Sequence, residues 1–211
     1  PPGFERTIFV YEEAGTPRGY TVIQTGHAGD AGRPAPPLVL RVQDFFAIGP
    51  EAAQALWSVI AGYDNVREIT WTNAAPDDPL PLMVVEPRML NTSVRDGIMM
   101  RIVNVDDAMT QRPYPIAATL TFELIDDFCP WNAGRWRLTA SEAGSEMRRV
   151  PGEAADITLK PETLSSIVWG HVAPSAAAQA GLLQVHDPRA LFRWDAAMRT
   201  AHPPHEAEHT W

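Results

Sequence analysis

Residues 119–139 read TLTFELIDDFCPWNAGRWRLT, and their first half alternates: Leu120, Phe122 and Leu124 share one side, Thr121 and Glu123 the other. Side chains of a strand point alternately to its two faces, so this is a half-buried β-strand. Asn132-Ala133-Gly134 is turn chemistry, and 135–139 returns as a partner strand, which gives a hairpin with a long loop. A further strand pair around Met147 and Ile157 predicts an antiparallel sheet. Beyond it the apolar period changes to that of helices, predicted over 161–169, 174–183 and 189–200. Asp187-Pro188 supplies the cap and first residue of the last one, whose stripe is Leu191, Trp194, Ala197 and Met198.

On the N-terminal side, runs at 7–11, 20–24 and 38–42 are rich in β-branched and aromatic residues and read as a meander. Residues 26–37 hold three glycines and three prolines and read as a mobile loop. Gly49 and Pro50 open a helix whose predicted face is Ala52, Ala55, Leu56, Val59, Ile60 and Tyr63. A strand at 66–72 follows, then a turn at Asp77-Asp78-Pro79-Leu80-Pro81, an apolar piece to Val85 and an irregular stretch at 88–96. Residues 98–103 read as strand, and Asp106 or Asp107 as the cap of a short helix to Arg112. Strand runs alternating with helices on this scale define an α+β chain. The boundary is expected near Gly97, giving domains 1–96 and 97–211.

The 211 residues are 45% hydrophobic and 20% charged, enough apolar material for a core. A formal charge of −9, with Lys160 the single lysine, argues against nucleic acid as a partner, because phosphate backbones are bound by clustered Lys and Arg. One cysteine, Cys129, excludes an internal disulfide framework and points to a reducing, cytoplasmic setting. No apolar run is long enough for a membrane span, so no membrane partner is expected. The sequence opens at Pro1 without Met and reads as strand soon after, so it is expected to belong to a longer protein.

Chemistry-bearing constellations are few. An Arg/Gln-x-x-Gly-x-Gly/Ala turn at a helix N-terminus cradles pyrophosphate with backbone amides. The match, Arg149-Val150-Pro151-Gly152-Glu153-Ala154, leads to a strand-like segment at 156–159, and Pro151 lacks a donor. The glycine-rich stretch 26–32 lacks the spacing, so no cofactor site is expected in this chain. His202, His205 and His209 beside Glu206 and Glu208 have ligand chemistry for zinc or nickel, but a Pro-Pro tail offers no rigid cage, and no metal is expected. His171 and His186 read as isolated packed or surface residues, and Cys129 as a small buried one. Asp126 and Asp127 read as turn formers in solvent rather than an acid/base pair. Trp57, Trp71, Trp131, Trp136, Trp169 and Trp194 read as core and interface residues.

Five segments, in order and spacing, resemble the C-terminal part of the Eis (enhanced intracellular survival) family of N-acetyltransferases. They are ALWSVIAGY at 55–63, DPLP at 78–81, MRIVNV at 100–105, FCPWNAGRWRL at 128–138 and LFRWD at 191–195. The resemblance runs from about Phe4 to Trp211. It implies a degenerate GNAT-like domain followed by a sterol-carrier-like domain, an antiparallel sheet with helices, the two forming the last part of a longer enzyme. The domain missing here would bind acetyl-CoA, the acceptors would be amines on aminoglycosides and other polyamine-like molecules, and the assembly would be a hexamer. The resemblance also implies that the terminal α-carboxylate, here on Trp211, is the general base of transfer. Glu208 and Thr210 are expected to touch the acceptor; the family carries Glu where this chain has Thr210, so acceptor preference is expected to differ. The general acid, a tyrosine of the first domain, lies outside this sequence. Two other functions compete: a lipid-binding sterol-carrier-like domain, motivated by the Trp and Met content after Gly97, and a purely structural assembly module.

Overall fold

A computed structural model describes residues 5–27, 38–95, 97–141 and 143–205, and its contacts fall into two compact units that meet in sequence at Val94 and Arg95. The first is built on a four-stranded sheet of order β1-β2-β3-β4. β1 (Glu5–Glu13) and β2 (Thr16–His27) form a hairpin through Ala14 and Gly15, both at positive φ (48° and 78°), the backbone that a two-residue hairpin turn requires. β3 (Leu38–Ala47) pairs antiparallel with β2, with a register shift between Val22 and Ile23. β4 (Val66–Trp71) then joins β3 in parallel after the crossover helix α1 (Pro50–Ala61). β2 takes in Gly26 and His27 from the stretch read as a loop; the rest of that stretch, 28–37, lies outside the described residues.

The buried face of α1 is Ala52, Ala53, Leu56 and Ile60, rotated from the expected one, since Ala55 is half-buried and Val59 is 40% exposed. Contact with the sheet decides this. At Gly19 a Cβ would lie 2.7 Å from the Phe46 carbonyl oxygen and 3.1 Å from Leu56 Cδ1, so a bare backbone there lets the helix close on the strands. Ile23, Leu40, Val42 and Ile60 form the core, flanked by Phe9, Phe45, Trp57, Tyr63, Val66 and Trp71. The opposite sheet face leaves Ile8, Val10, Phe46 and Ile48 exposed. After β4, Asp78 Oδ1 accepts from the Leu80 amide at 2.8 Å, so the expected turn passes into a short helix α2 (Leu80–Met83), and a single 3-10 turn follows (Pro87–Leu90).

The second unit holds α3 (Val105–Thr110), β5 (Ala118–Leu124), β6 (Gly134–Ser141), β7 (Gly144–Arg149), β8 (Ile157–Leu159), α4 (Pro161–Val168), α5 (Pro174–Gln179), β9 (Leu183–Val185) and α6 (Pro188–Met198). Its sheet runs β7-β6-β5-β8-β9. The quoted hairpin is β5 and β6, paired antiparallel from Ala118/Ala140 to Leu124/Gly134. The sheet is nevertheless mixed. β8 lies parallel to β5, and the segments around Met147 and Ile157 are not partners. Asp156 explains the crossing: its amide donates to Thr121 O at 2.7 Å and its Oδ2 accepts from Thr121 N at 2.9 Å, which fastens the entry of β8 beside β5.

Three further expectations are corrected. Residues 98–103 form no strand. The cap of α3 is Asn104, whose Oδ1 accepts from the amides of Asp106 (3.1 Å) and Asp107 (3.3 Å); the two aspartates sit in the first turn, where negative charge favours the helix dipole. The helix predicted over 174–183 ends at Gln179, because Gly181 turns the chain at φ 72° and Leu183 enters the sheet as β9. Helices cover one sheet face around Leu120, Phe122, Leu138, Ile157, Leu164, Ile167 and Trp194, all fully buried. Phe122 and Trp194 meet edge to face, with centroids 5.6 Å apart. Among the described residues no helix is long and apolar enough to cross a membrane.

Candidate functional site

Trp211, Glu208 and Thr210, the expected base and acceptor contacts, lie outside the described residues, as do Glu206 and His209. The place in the first unit where a phosphate cradle would belong is described: the N-terminus of α1, directly after β3. Pro50 occupies the first helical position and has no N–H, and Glu51 in the first turn adds negative charge where an anion would approach. Ligands of open α/β sheets bind beyond the carboxyl ends of parallel strands. Here parallel pairing stops at Val42/Trp71, and three rings gather there. Phe45 stacks on Trp57 at 5.0 Å, Trp71 lies 5.5 Å from Phe45, and the two tryptophans are 5.3 Å apart. The first helical position thus offers no amide, an acidic side chain follows it, and packed rings stand beside the end of the parallel pairing. Arg149, the other possible anion ligand, donates to the carbonyls of Ala133 (2.8 Å) and Trp131 and lies 4.2 Å over the Trp136 ring; Gly152 behind it leads into a strand.

The second unit concentrates its polar groups in two knots. Asp126 is buried, against the expectation of a solvated turn residue, while Asp127 is exposed. One Asp126 oxygen accepts from the amides of Phe128 (3.1 Å) and Cys129 (2.8 Å) and from Arg101 at 2.5 Å, the other from Asn132 Nδ2 at 3.3 Å. Burial alone pushes its pKa up; the Cys129 amide, the Asn132 amide group, the Arg101 charge and the Phe128 amide outweigh that and hold it below the usual carboxylate range. Asn132 also accepts from Val105 N (3.0 Å) and donates to Val103 O (3.0 Å), and Trp131 Nε1 donates to Val103 O (2.8 Å). Ile102 N donates to Ser165 Oγ at 3.1 Å. Two of the segments that carry the family resemblance, 100–105 and 128–138, are thus hydrogen-bonded to each other.

Arg112 is the second knot. Its guanidinium donates to Val168 O at the end of α4 (2.9 Å) and to Ala197 O (3.1 Å) and Met198 O (2.7 Å) at the end of α6. It thereby satisfies orphan carbonyls of two helix C-termini, the negative ends of their dipoles. Burial lowers its pKa, and the charge and hydrogen-bonding of the Tyr114 hydroxyl partly offset this; the Tyr114 ring lies 4.9 Å from the guanidinium. The Tyr114 phenol, pushed up to about 12 by burial, donates to Met109 O at 2.7 Å. Sequence reading placed Arg112 only as the end of a short helix. Backbone carbonyls leave no mark in a sequence, so nothing there signalled this role.

The remaining candidates are structural. Cys129 is buried, as expected, and His171 and His186 are exposed, with His186 Nε2 2.8 Å from Thr158 Oγ1. No group of three metal-ligating side chains occurs among the described residues. Of the tryptophans among the described residues only Trp136 and Trp194 are buried; Trp57 and Trp71 are half-buried, and Trp131 and Trp169 are half-exposed at the surface.

Comparison with known proteins bears on what this architecture is. Residues 2–102 match the family described as acetyltransferase (GNAT) domain, and residues 105–206 the one described as sterol carrier protein domain. The chain is therefore a GNAT-type domain joined to a sterol-carrier-type domain. An uncharacterized N-acetyltransferase of Streptomyces avermitilis is 31% identical over 92% of this chain and 47% of its own length. N-acetyltransferase Eis of Mycobacterium tuberculosis is 30% identical over 77% of this chain and 40% of its own. The crystal structure of Eis1 from Mycobacterium abscessus superposes with a TM-score of 0.74 at 26% identity, over 99% of this chain and 51% of that one. A GCN5-related N-acetyltransferase from Anabaena variabilis shares the fold at a TM-score of 0.78 and 24% identity. This chain is homologous to the Eis-like N-acetyltransferases, and it spans about half the length of the curated relatives it matches.

Proposed function

We propose that this chain is the C-terminal portion of an acetyl-CoA-dependent amine N-acetyltransferase, with residues 1–96 as a degenerate GNAT-like domain and 97–211 as a sterol-carrier-like domain bearing a functional tail. The observation that carries it is the pairing of the two domain types in one chain, superposable almost throughout on half of an Eis structure. The proline at the first position of α1 and Glu51 beside it support placing acetyl-CoA on a GNAT domain outside this sequence. The packed core around Phe122 and Trp194 speaks against lipid carriage as the main task.

In this reading the chain supplies the wall of the acceptor site and, through the α-carboxylate of Trp211, the general base, with Glu208 and Thr210 beside an aminoglycoside or polyamine-like acceptor. The carboxylate takes a proton from the acceptor ammonium, the free amine attacks the thioester carbonyl, an amide forms, and coenzyme A leaves as the thiol after protonation by the general acid. An α-carboxyl has a pKa of about 3.5 in water, so a closed site must raise it by desolvation before it takes that proton efficiently. The indole of Trp211 would provide the burial that such a site needs. No metal enters, the protein works in the cytoplasm, and the assembly is a homo-hexamer. Deleting Trp211, or adding one alanine after it, in the full-length enzyme is expected to abolish acetyl transfer to amines while leaving acetyl-CoA binding unchanged. Undiminished turnover would remove the terminal base from the reading.

A further inference from the structure

The edge strand of a β-sheet presents a row of backbone N–H and C=O groups without partners, a template for another strand unless something defends it. Among the described residues the edges are β1 and β4 in the first sheet and β7 and β9 in the second. β9 has only three residues. β4 carries Arg67 and Glu68 within its six, and β7 carries Glu146, Arg148 and Arg149. β1 has no such defence. It runs for nine residues without proline or glycine, and its central positions, Thr7 to Tyr11, are all uncharged and β-branched or aromatic. The irregularity in its pairing with β2, between Tyr11 and Glu12, skips Arg18 on the β2 side, so β1 itself stays regular. Charge stands only at its two ends, where Arg6 and Glu12 are exposed and make no ion pair among the described residues.

We propose that β1 pairs antiparallel with β1 of a second copy of this chain, about a two-fold axis at Phe9, and joins the two sheets into one. The strand is complementary to itself in that register alone. Arg6 falls opposite Glu12 and Ile8 opposite Val10, each pair occurring twice, and Thr7 falls opposite Tyr11. An axis perpendicular to the sheet keeps both open faces on one side, so Ile8 and Val10, 60% and 55% exposed, gain apolar neighbours across the junction. Centring on Ile8 instead sets Arg6 against Val10, and centring on Val10 sets Ile8 against Glu12. Glu5 and Glu13 meet at the ends, where Arg18 Nε, 3.6 Å from Glu13, offsets their repulsion. The proposal rests on the homo-oligomer of the proposed function and adds the place where two subunits meet; it does not depend on Trp211.

The test uses the full-length enzyme, whose mass is first measured by light scattering. Arg6→Glu and Glu12→Arg each place like charges opposite one another twice, and each is expected to raise the concentration at which the oligomer dissociates roughly tenfold in sedimentation. R6E/E12R restores the pairs and should return that concentration close to the wild-type value. Residues that face each other across antiparallel strands stand about 4.5–5.5 Å apart at Cα, within reach of a disulfide. An equimolar mixture of Ile8→Cys and Val10→Cys proteins is therefore expected to form a mixed disulfide under mild oxidation, and either protein alone far less; the native Cys129 is buried. A mixture that cross-links no better than its components, or charge variants that the double substitution does not rescue, overturns the proposal. A monomeric wild type overturns the homo-oligomer reading with it, whereas an oligomer that fails the cross-linking loses only this junction. In such an oligomer, β1 amides protected from hydrogen exchange would assign the edge to another part of the full-length chain.

Discussion

The two units spend their side chains differently. The first is held by a small aliphatic core and a layer of half-buried rings over one face of a sheet whose other face is open, and two of its side-chain ties, Tyr20 to Asp44 Oδ2 at 2.8 Å and Thr21 to Asp44 O at 3.0 Å, meet at one half-buried aspartate. The second closes a continuous core and buries charged and amide groups inside it. The contrast teaches that the GNAT-type sheet is held by ordinary apolar and ring packing, whereas the sterol-carrier-type unit depends on polar knots that fix chain crossings. Substitutions should therefore separate the units by magnitude.

The largest effect is expected at Trp194. Truncation to Ala removes a fully buried ring packed on Phe122 and should cost about 3–5 kcal/mol in urea unfolding, whereas Trp57→Ala, in the half-buried stack of the first unit, should cost clearly less. Equal losses would erase the distinction. Next comes Asp126→Ala, which strands Arg101, two amides and Asn132, and should cost about 3 kcal/mol or more. Asp126→Asn sharpens this through pH. The folded pKa of Asp126 lies below its unfolded value, so its contribution is fully present above the ordinary carboxylate range and is lost as pH falls through the folded value. The Asn variant should lose stability at neutral pH yet show a shallower fall on acidification than the parent, read from urea midpoints between neutrality and the acid limit. The smallest effect is expected at Tyr20→Phe in the first unit, which removes one partly exposed hydrogen bond to Asp44 and should cost about 1 kcal/mol or less.

Local features of the sequence were legible because they act over a few residues. The alternation at 119–125, Pro50 opening α1 and Asp187 capping α6 all state their own conformation, and the structure follows them. What escaped is non-local. Asp156 decides the parallel entry of β8 by gripping a strand thirty-five residues earlier (156 − 121), and Asp126 is buried where Arg101 comes to it from twenty-five residues earlier (126 − 101) and Asn132 from the same loop. The cap of α3 was missed by two residues because Asn104 stood beside two equally plausible aspartates. For the proposed site, the motif segments that point to the family turn out to include a structural clamp, and the predicted chemistry rests on a tail that no local pattern distinguishes from an ordinary polar end.

The clamp between 100–105 and 128–138 also bears on how this protein is to be divided. Sequence similarity changes from one domain family to the next between residues 102 and 105, yet that is where Asn132 holds Val103 O and Val105 N and where Ser165 holds Ile102 N. A sterol-carrier-type domain cut at the family seam would start with its own clasp torn in two. One that keeps Arg101 would retain the partner of Asp126 and leave the laboratory with a soundly closed piece.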